Sequence, residues 1–276
     1  MSIVFNSLTN HHDFIHMFIA IAVLGFSLVC SLLVFQRGQV AATETGCRRW
    51  VIAAGIITGL GVWATHFIAL IGYQPGFPIK FDAIVTLMSA LIAIVGLTTA
   101  TSIAHNSRTT VRKLIAAFIA SCTVVTMHYF GMTALHDSVL MTYDPLLVAF
   151  SVIVCFGFYI MAYTCRRSEH PFVRNVVSWS CAMIAILSAH FVGMAAMTLT
   201  PRETISQTGW LMGTGALSIT IATTTCLILL FAALAAGLDS LLVQLRSLEA
   251  RKLSALADSS REALFMVSDR GKVIQA

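Results

Sequence analysis

The sequence predicts an all-α membrane protein of seven transmembrane helices, N-terminus outside and C-terminus inside, with helices two to seven forming three parallel two-helix repeats. Three observations carry this expectation. Of the 276 residues, 58% are hydrophobic and only 11% charged, with a mean hydropathy of +0.86, whereas about a quarter of a water-soluble domain is charged. Charge-free intervals run over residues 14–36, 51–79, 83–104, 114–135, 145–165, 176–201 and 204–238, each able to hold the roughly 20 apolar residues of a spanning helix. Histidines recur within these spans at 66, 128 and 190, a constant period of 62 residues, which implies a repeated unit of two spans.

A two-span unit returns the chain to the same side of the membrane, so the copies are parallel rather than inverted. Orientation follows from the loops. Arg37, Arg48 and Arg49, then Arg108, Arg112 and Lys113, then Arg166, Arg167 and Arg174 occupy alternate connections, while the others hold only Lys80, nothing, and Arg202. The basic connections belong on the cytoplasmic side. The net charge of +5 is thereby accounted for by topology, and no nucleic-acid partner is expected. Residues 1–13 carry no Lys or Arg, which argues against a signal peptide.

Span one is the unpaired helix, preceded by His11-His12-Asp13 and followed one turn later by His16-Met17. The repeats then align: Thr65-His66-Phe67-Ile68-Ala69-Leu70 with Met127-His128-Tyr129-Phe130-Gly131-Met132 and with Ala189-His190-Phe191-Val192-Gly193-Met194. Sixteen residues beyond the first two histidines, Phe81-Asp82 matches Tyr143-Asp144, while the third copy has Ile205-Ser206. Each histidine lies about six residues, or roughly 9 Å, from the outer end of its span. Six of the seven cysteines fall in or at the ends of spans and Cys47 in a cytoplasmic loop, without any CxxC, so neither a disulfide framework nor a zinc-finger spacing is read.

After span seven, Leu238, Leu241, Leu245 and Leu248 recur at helical spacing among charged residues, as in a short coiled coil or a helix lying on the headgroups. The domains expected are residues 10–238, a membrane sensor; 239–256, an amphipathic signalling linker; and 257–276, the start of a further domain of helix, strand, turn and strand. The chain is accordingly expected to be the membrane part of a longer protein.

A lone histidine on an apolar helix is ordinarily a packing residue. Three at one depth are different, because an ionisable group in lipid is costly and faces a partner or a pathway. The spans that carry them contain no Asp, Glu, Lys or Arg, so three neutral imidazoles are better suited to sharing a metal than to relaying protons. One turn on, and on the same face, stand Leu70, Met132 and Met194. Imidazole with thioether suits copper. Zinc is the alternative occupant. Met127 flanks His128 but is rotated by about 100° on a helix and ranks below Met132. The glycines at 131 and 193, with Ala69, permit the close helix approach that a three-helix site requires. His12 can reach the same layer, in competition with His11 and His16. His136 and Asp137 are candidates for an entry path, and His105 and His170 for ordinary surface residues.

The string Met127-His128-Tyr129, flanked at the 62-residue period by the His66 and His190 segments, resembles the bacterial MHYT domain, a seven-helix membrane sensor named for Met-His-Tyr-Thr. The resemblance covers about residues 10–240. It implies a metal site, with copper as the metal, near the outer membrane face, held by His66, His128, His190, Met127, Met132 and Met194, and used to sense a diatomic gas such as oxygen, carbon monoxide or nitric oxide. His12-Asp13 is similar to a His-Asp start in some members, which raises His12 as a ligand. Two departures stand out: Phe130 replaces the signature Thr, and Leu70 stands where the other repeats have Met. The tail from about Ala255 is similar to the opening of a PAS domain, which in this family leads to diguanylate cyclase and phosphodiesterase modules. This chain is therefore expected not to be an enzyme itself. It is expected in the bacterial cytoplasmic membrane, as a homodimer joined through its C-terminal helix. Two other classes are weighed: a haem or membrane redox protein, which three histidines fit less well because haem uses at most two axial ligands, and a copper transporter, for which the inner half of the spans lacks a ligand layer. A retinal protein is excluded, since none of Lys80, Lys113, Lys252 and Lys272 lies within a span.

Overall fold

In lipid each backbone polar group must be satisfied by the chain itself, so a sequence this poor in charge folds as helices. A computed structural model of the chain describes residues 13–41, 43–77, 79–105, 109–135, 139–166, 168–201, 210–259, 266–267 and 273–275. The helices are α1 (Phe14–Gln39), α2 (Glu44–Ile71), α3 (Ala83–His105), α4 (Thr110–Met132), α5 (Pro145–Cys165), α6 (Ser178–Ala195) and α7 (Thr214–Ser259). A 3₁₀ turn, Thr133–Leu135, extends α4, and a π-helical turn, Val173–Val177, leads into α6. Six helical segments among the described residues are long and apolar enough to cross a membrane, and α7 is helical throughout the charge-free residues 214–238. The protein is thus a multi-pass membrane protein, with six full-length spans among the described residues where the sequence predicts seven.

Helices run past the charge-free intervals. Glu44, Arg48 and Arg49 all lie in the first turns of α2, which Thr43 caps by accepting from the Gly46 N–H at 3.1 Å, and Cys47 is therefore helical rather than in a loop. Charge marks the depth of the hydrocarbon, not the end of a helix. Aspartates start the helices at the other end of the bundle: Asp13 accepts from Ile15 N–H at 3.0 Å, Asp82 from Val85 N–H at 2.9 Å, and Asp144 from Leu146 N–H at 2.8 Å. This explains the aligned Phe81-Asp82 and Tyr143-Asp144 as N-caps. Asp144 also accepts from Leu147 N–H, ahead of Pro145 at the first helical position. Asp144→Ala is expected to cost about 0.5–2 kcal/mol, read as a lower unfolding midpoint in detergent.

Two antiparallel ribbons tie these connections together. β1 (Phe81–Asp82) pairs with β4 (Leu211–Met212), and β2 (Val139–Tyr143) with β3 (Met197–Pro201), from Val139 opposite Pro201 to Tyr143 opposite Met197. They lie where α2, α4 and α6 end.

The helices divide into two sets. Consecutive helices pack in chain order from α1 to α6, α1 also touches α6, and α4 touches both α2 and α6. The most apolar stretches of the spans containing α2, α4 and α6 are 72, 50 and 44% buried, against 39, 33 and 22% for α1, α3 and α5. The histidine-bearing helices thus form an inner triplet. Glycine allows the close approach: a Cβ on Gly59 would lie 2.6 Å from Ile94 Cα and 2.8 Å from the Ala93 carbonyl oxygen. These are backbone atoms that cannot rotate away, so Gly59→Ala is expected to destabilise the bundle by about 1–3 kcal/mol in a denaturant titration.

The chain forms two compact units, residues 1–229 and 230–276. In the second, the helix reaches Ser259 and a short hairpin pairs β5 (Met266–Val267) with β6 (Val273–Gln275). Leu238, Leu241, Leu245 and Leu248 are all exposed.

Candidate metal centre

His66 on α2, His128 on α4 and His190 on α6 come together near the last turns of the inner helices, and are only 2, 1 and 4% exposed. His66 Nδ1 lies 3.1 Å from His190 Nδ1 and 3.2 Å from His128 Nδ1. One ligand atom from each residue falls within 4.8 Å of the other two. The rings are arranged like a propeller, with centroids 5.0, 5.1 and 5.2 Å apart and interplanar angles of 84, 82 and 85°. A 62-residue repeat on three packed helices thus becomes a near-threefold site.

Each ring is braced by the aromatic residue that follows it. Phe67, Tyr129 and Phe191 sit edge-on to His66, His128 and His190 at 4.7, 4.8 and 5.1 Å. Tyr129 adds a hydroxyl 3.1 Å from Ser151 Oγ. Small residues receive the far sides of two rings: a Cβ at Gly131 would lie 2.8 Å from His66 Nε2, and one at Gly193 would collide with His128 Nε2. Those Nε2 atoms are buried without a hydrogen-bond partner.

The site is dry. A void of about 10 Å³ beside the three rings is lined by Val62, Val124 and Ile186, one turn before each histidine, with Thr65 and Met127. On the other side Leu70, Met132 and Met194, one turn after, are 0, 0 and 1% exposed. No carboxylate or cationic side chain lines the void. Three neutral imidazoles whose Nδ1 atoms converge cannot all hydrogen-bond one another, since each carries one proton on one of two nitrogens. A shared cation accepts all three lone pairs, and nitrogen donors with a thioether nearby suit copper or zinc rather than a hard-oxygen metal.

Residues 59–117, 122–178 and 184–245 each match the MHYT family, described as a bacterial signalling protein N-terminal repeat, and each match contains one of the three histidines. The chain belongs to the MHYT family. Similar MHYT relatives include an uncharacterized signaling protein of Caulobacter vibrioides, 25% identical over 94% of this chain and 32% of its own. The cyclic di-GMP phosphodiesterase NbdA of Pseudomonas aeruginosa is 30% identical over 60% of this chain and 23% of its own. The bifunctional diguanylate cyclase/cyclic di-GMP phosphodiesterase MucR of the same species is 25% identical over 87% of this chain and 36% of its own. The chain thus spans about a quarter to a third of the length of these relatives. No solved structure matches it.

Within this MHYT chain the other sequence candidates are distributed as follows. Met127 lines the void. Met132 and Met194 are buried in the same core but do not line it. His12, His136 and Asp137 lie outside the described residues. Asp13, which follows His12, caps α1, and His16 Nδ1 sits 2.7 Å from its carboxylate, on the side of α1 that meets Gly72. The hydrogen bond with His16 holds the Asp13 carboxyl below its ordinary pKa. Burial, with Tyr129 beside it, pushes the Tyr143 phenol up, so that side chain stays protonated. His105 is not the surface residue expected. Its Nε2 lies 2.9 Å from Cys47 Sγ and its ring stands edge-on to Phe35 at 5.4 Å. The two residues are 58 apart in sequence, and no local pattern could have paired them.

Proposed function

We propose that the chain is the sensor part of a signalling protein of the bacterial cytoplasmic membrane, in which copper, or in second place zinc, bound by His66, His128 and His190 near the outer face reports a diatomic gas or a redox cue. The observation that carries this reading is the convergence of three buried imidazole nitrogens in a site without counter-charge. Met127 on one side of the rings, and Met132 and Met194 on the other, supply soft sulfur within the same core, and His12 is a further candidate from the start of α1. Copper held there would supply an open coordination position for a diatomic ligand or a one-electron change of state.

The chain's own part is to hold the rings rigidly and exclude water. Two apolar layers and the bracing aromatics do this, so a change of ligation is felt as a shift of α2, α4 and α6 against one another. The seven-helix topology carries that shift through α7 and the 239–256 helix, whose exposed leucine face is the seam of a homodimer. The β5–β6 hairpin begins a PAS-like domain. The named activities of NbdA and MucR support an output concerned with cyclic di-GMP, made by modules outside these 276 residues. The void of about 10 Å³ has no room for a macrocycle, which weighs against haem. The apolar layers above and below weigh against transport.

Metal analysis and paramagnetic resonance on the purified chain test the reading, with wild type beside the triple His66→Ala, His128→Ala, His190→Ala protein. Wild type is expected to retain about one copper per protomer, and its absorption spectrum to change on exposure to oxygen, carbon monoxide or nitric oxide. Stoichiometric metal in the triple variant would sink the site. A loaded wild-type protein blind to all three gases and to reductant would sink the sensing role.

A further inference from the structure

At the end of the bundle opposite the histidines, two adjoining cavities of about 80 and 180 Å³ share Tyr163, Arg166 and Arg174 as walls. The smaller reaches inward to Leu28, Thr58 and Trp179, and the larger opens beside Phe35, Gln39 and His105. Arg166 follows the last residue of α5, and Arg174 belongs to the π-helical turn before α6, a local widening that frequently marks a functional position.

Around these cavities the buried groups without a partner are the Tyr159 hydroxyl, Trp179 Nε1 and His105 Nδ1. Tyr159 is only 4% exposed, yet its hydroxyl has no partner, and Trp179 Nε1 has none. Neighbouring hydroxyls are already spent on backbone: Ser31 donates to the Ala54 carbonyl at 2.8 Å and Ser178 to that of Ala162 at 2.8 Å. Among the described residues no carboxylate forms an ion pair with Arg166 or Arg174. Arg166 is held over the Phe35 ring, its guanidinium carbon 4.0 Å from the centroid, which fixes its plane and leaves its N–H edge available. Burial bears against its charge and draws its pKa below the ordinary guanidinium value. Two guanidiniums, an indole N–H and a phenol O–H fit a compact oxyanion.

We propose that Arg166 and Arg174, with Tyr159 and Trp179 behind them, form a phosphate-binding site. The donors match a phosphate group bearing several acceptor oxygens. Its membrane setting makes an anionic phospholipid headgroup the first source, since basic pockets between spanning helices take such headgroups. Free inorganic phosphate carries the same chemistry. Residues beside the site expose apolar side chains, such as Leu33 and Val29 on α1, along which acyl chains can lie. The site stands apart from the metal reading and does not depend on it.

The full chain, in nanodiscs of phosphatidylcholine containing a minor fraction of phosphatidylglycerol, is examined by native mass spectrometry. Inorganic phosphate is titrated calorimetrically into phosphatidylcholine-only discs. Wild type is expected to enrich phosphatidylglycerol over the bulk, and the R166Q/R174Q protein to lose that enrichment about tenfold or more. Tyr159→Phe removes one donor without changing shape and is expected to weaken binding by a few-fold, which keeps the test open should the double variant fail to fold. Phosphate binding in the phosphatidylcholine-only arm, lost in the same variants, would support the site and assign the free ion as its source. No binding in either arm, or binding unchanged in R166Q/R174Q and Tyr159→Phe, overturns the proposal.

Discussion

His66→Ala is expected to abolish metal retention, with a larger effect than any other single substitution in the core. His66 is the ring whose Nδ1 lies within 3.2 Å of both others, so its loss leaves two donors where there were three. Losing even an outer partner of a metal ligand costs about 10–100-fold in affinity, and losing a ligand should exceed that. The readout that isolates metal from fold is the shift in unfolding midpoint on adding copper to metal-stripped protein. At about 100 times its dissociation constant a ligand specific for the folded state contributes about 2.7 kcal/mol. Wild type should show that gain and His66→Ala should not, whatever the substitution costs the apoprotein, because each protein serves as its own reference. An equal copper-induced shift in both would remove His66 from the site. Met127→Leu, nearly conserving volume, is the companion measurement. A small stability change of less than about 1.5 kcal/mol with weakened copper binding would make the thioether a ligand, and unchanged binding would make it packing.

The histidine layer was legible because a repeat converts three separate ambiguities into one pattern. Equal spacing on parallel helices fixes equal depth, and the structure puts the rings in van der Waals reach. The bracing residues were visible in the same alignment, as an aromatic after each histidine and a small residue three positions on. What escaped the sequence was whatever depends on pairing between different connections. The β2–β3 ribbon joins Val139–Tyr143, which read as loop, to Met197–Pro201, which read as the end of the sixth span, because nothing local announces a partner so far along the chain. Cys47 with His105, and Arg166 with Phe35, are similarly long-range. Arg166 also shows the limit of reading charge as topology: the rule that places basic loops on one side is silent on whether a given guanidinium faces water or closes a cavity. The methionines split for a different reason. Helical periodicity ranks Met132 and Met194 by face, but Met127, a position that should point about 100° away, lines the void, because the site lies among three helices and not on one.

Gly193→Ala tests whether the rigidity of the site, and not only its ligand set, is what the fold supplies. A methyl at 193 would collide with His128 Nε2 and approach its Cδ2 and Cε1 to 2.9 and 3.3 Å, so the whole ring must move. It cannot do so freely, since Tyr129 stands edge-on at 4.8 Å and His66 and His190 at 5.0 and 5.2 Å. Overpacking of this kind costs about 1–3 kcal/mol, and a ring displaced from its partners should also lower copper affinity about tenfold or more, since a 1.4 kcal/mol loss is already tenfold. Gly131→Ala should act in the same direction but less, because its methyl would meet His66 Nε2 at 2.8 Å and Cδ2 at 3.2 Å. The first repeat carries Ala69 at the equivalent place, buried at 2%, so a methyl is accommodated at one corner of the three. The control is Gly157→Ala, where a new methyl meets nothing within 4 Å and copper binding should be unchanged. A folded Gly193→Ala protein holding copper as tightly as wild type would show that the ring has room to yield. The glycines at 131 and 193 would then be helix-packing residues alone, and the site would owe its geometry to the bound metal instead of the bundle.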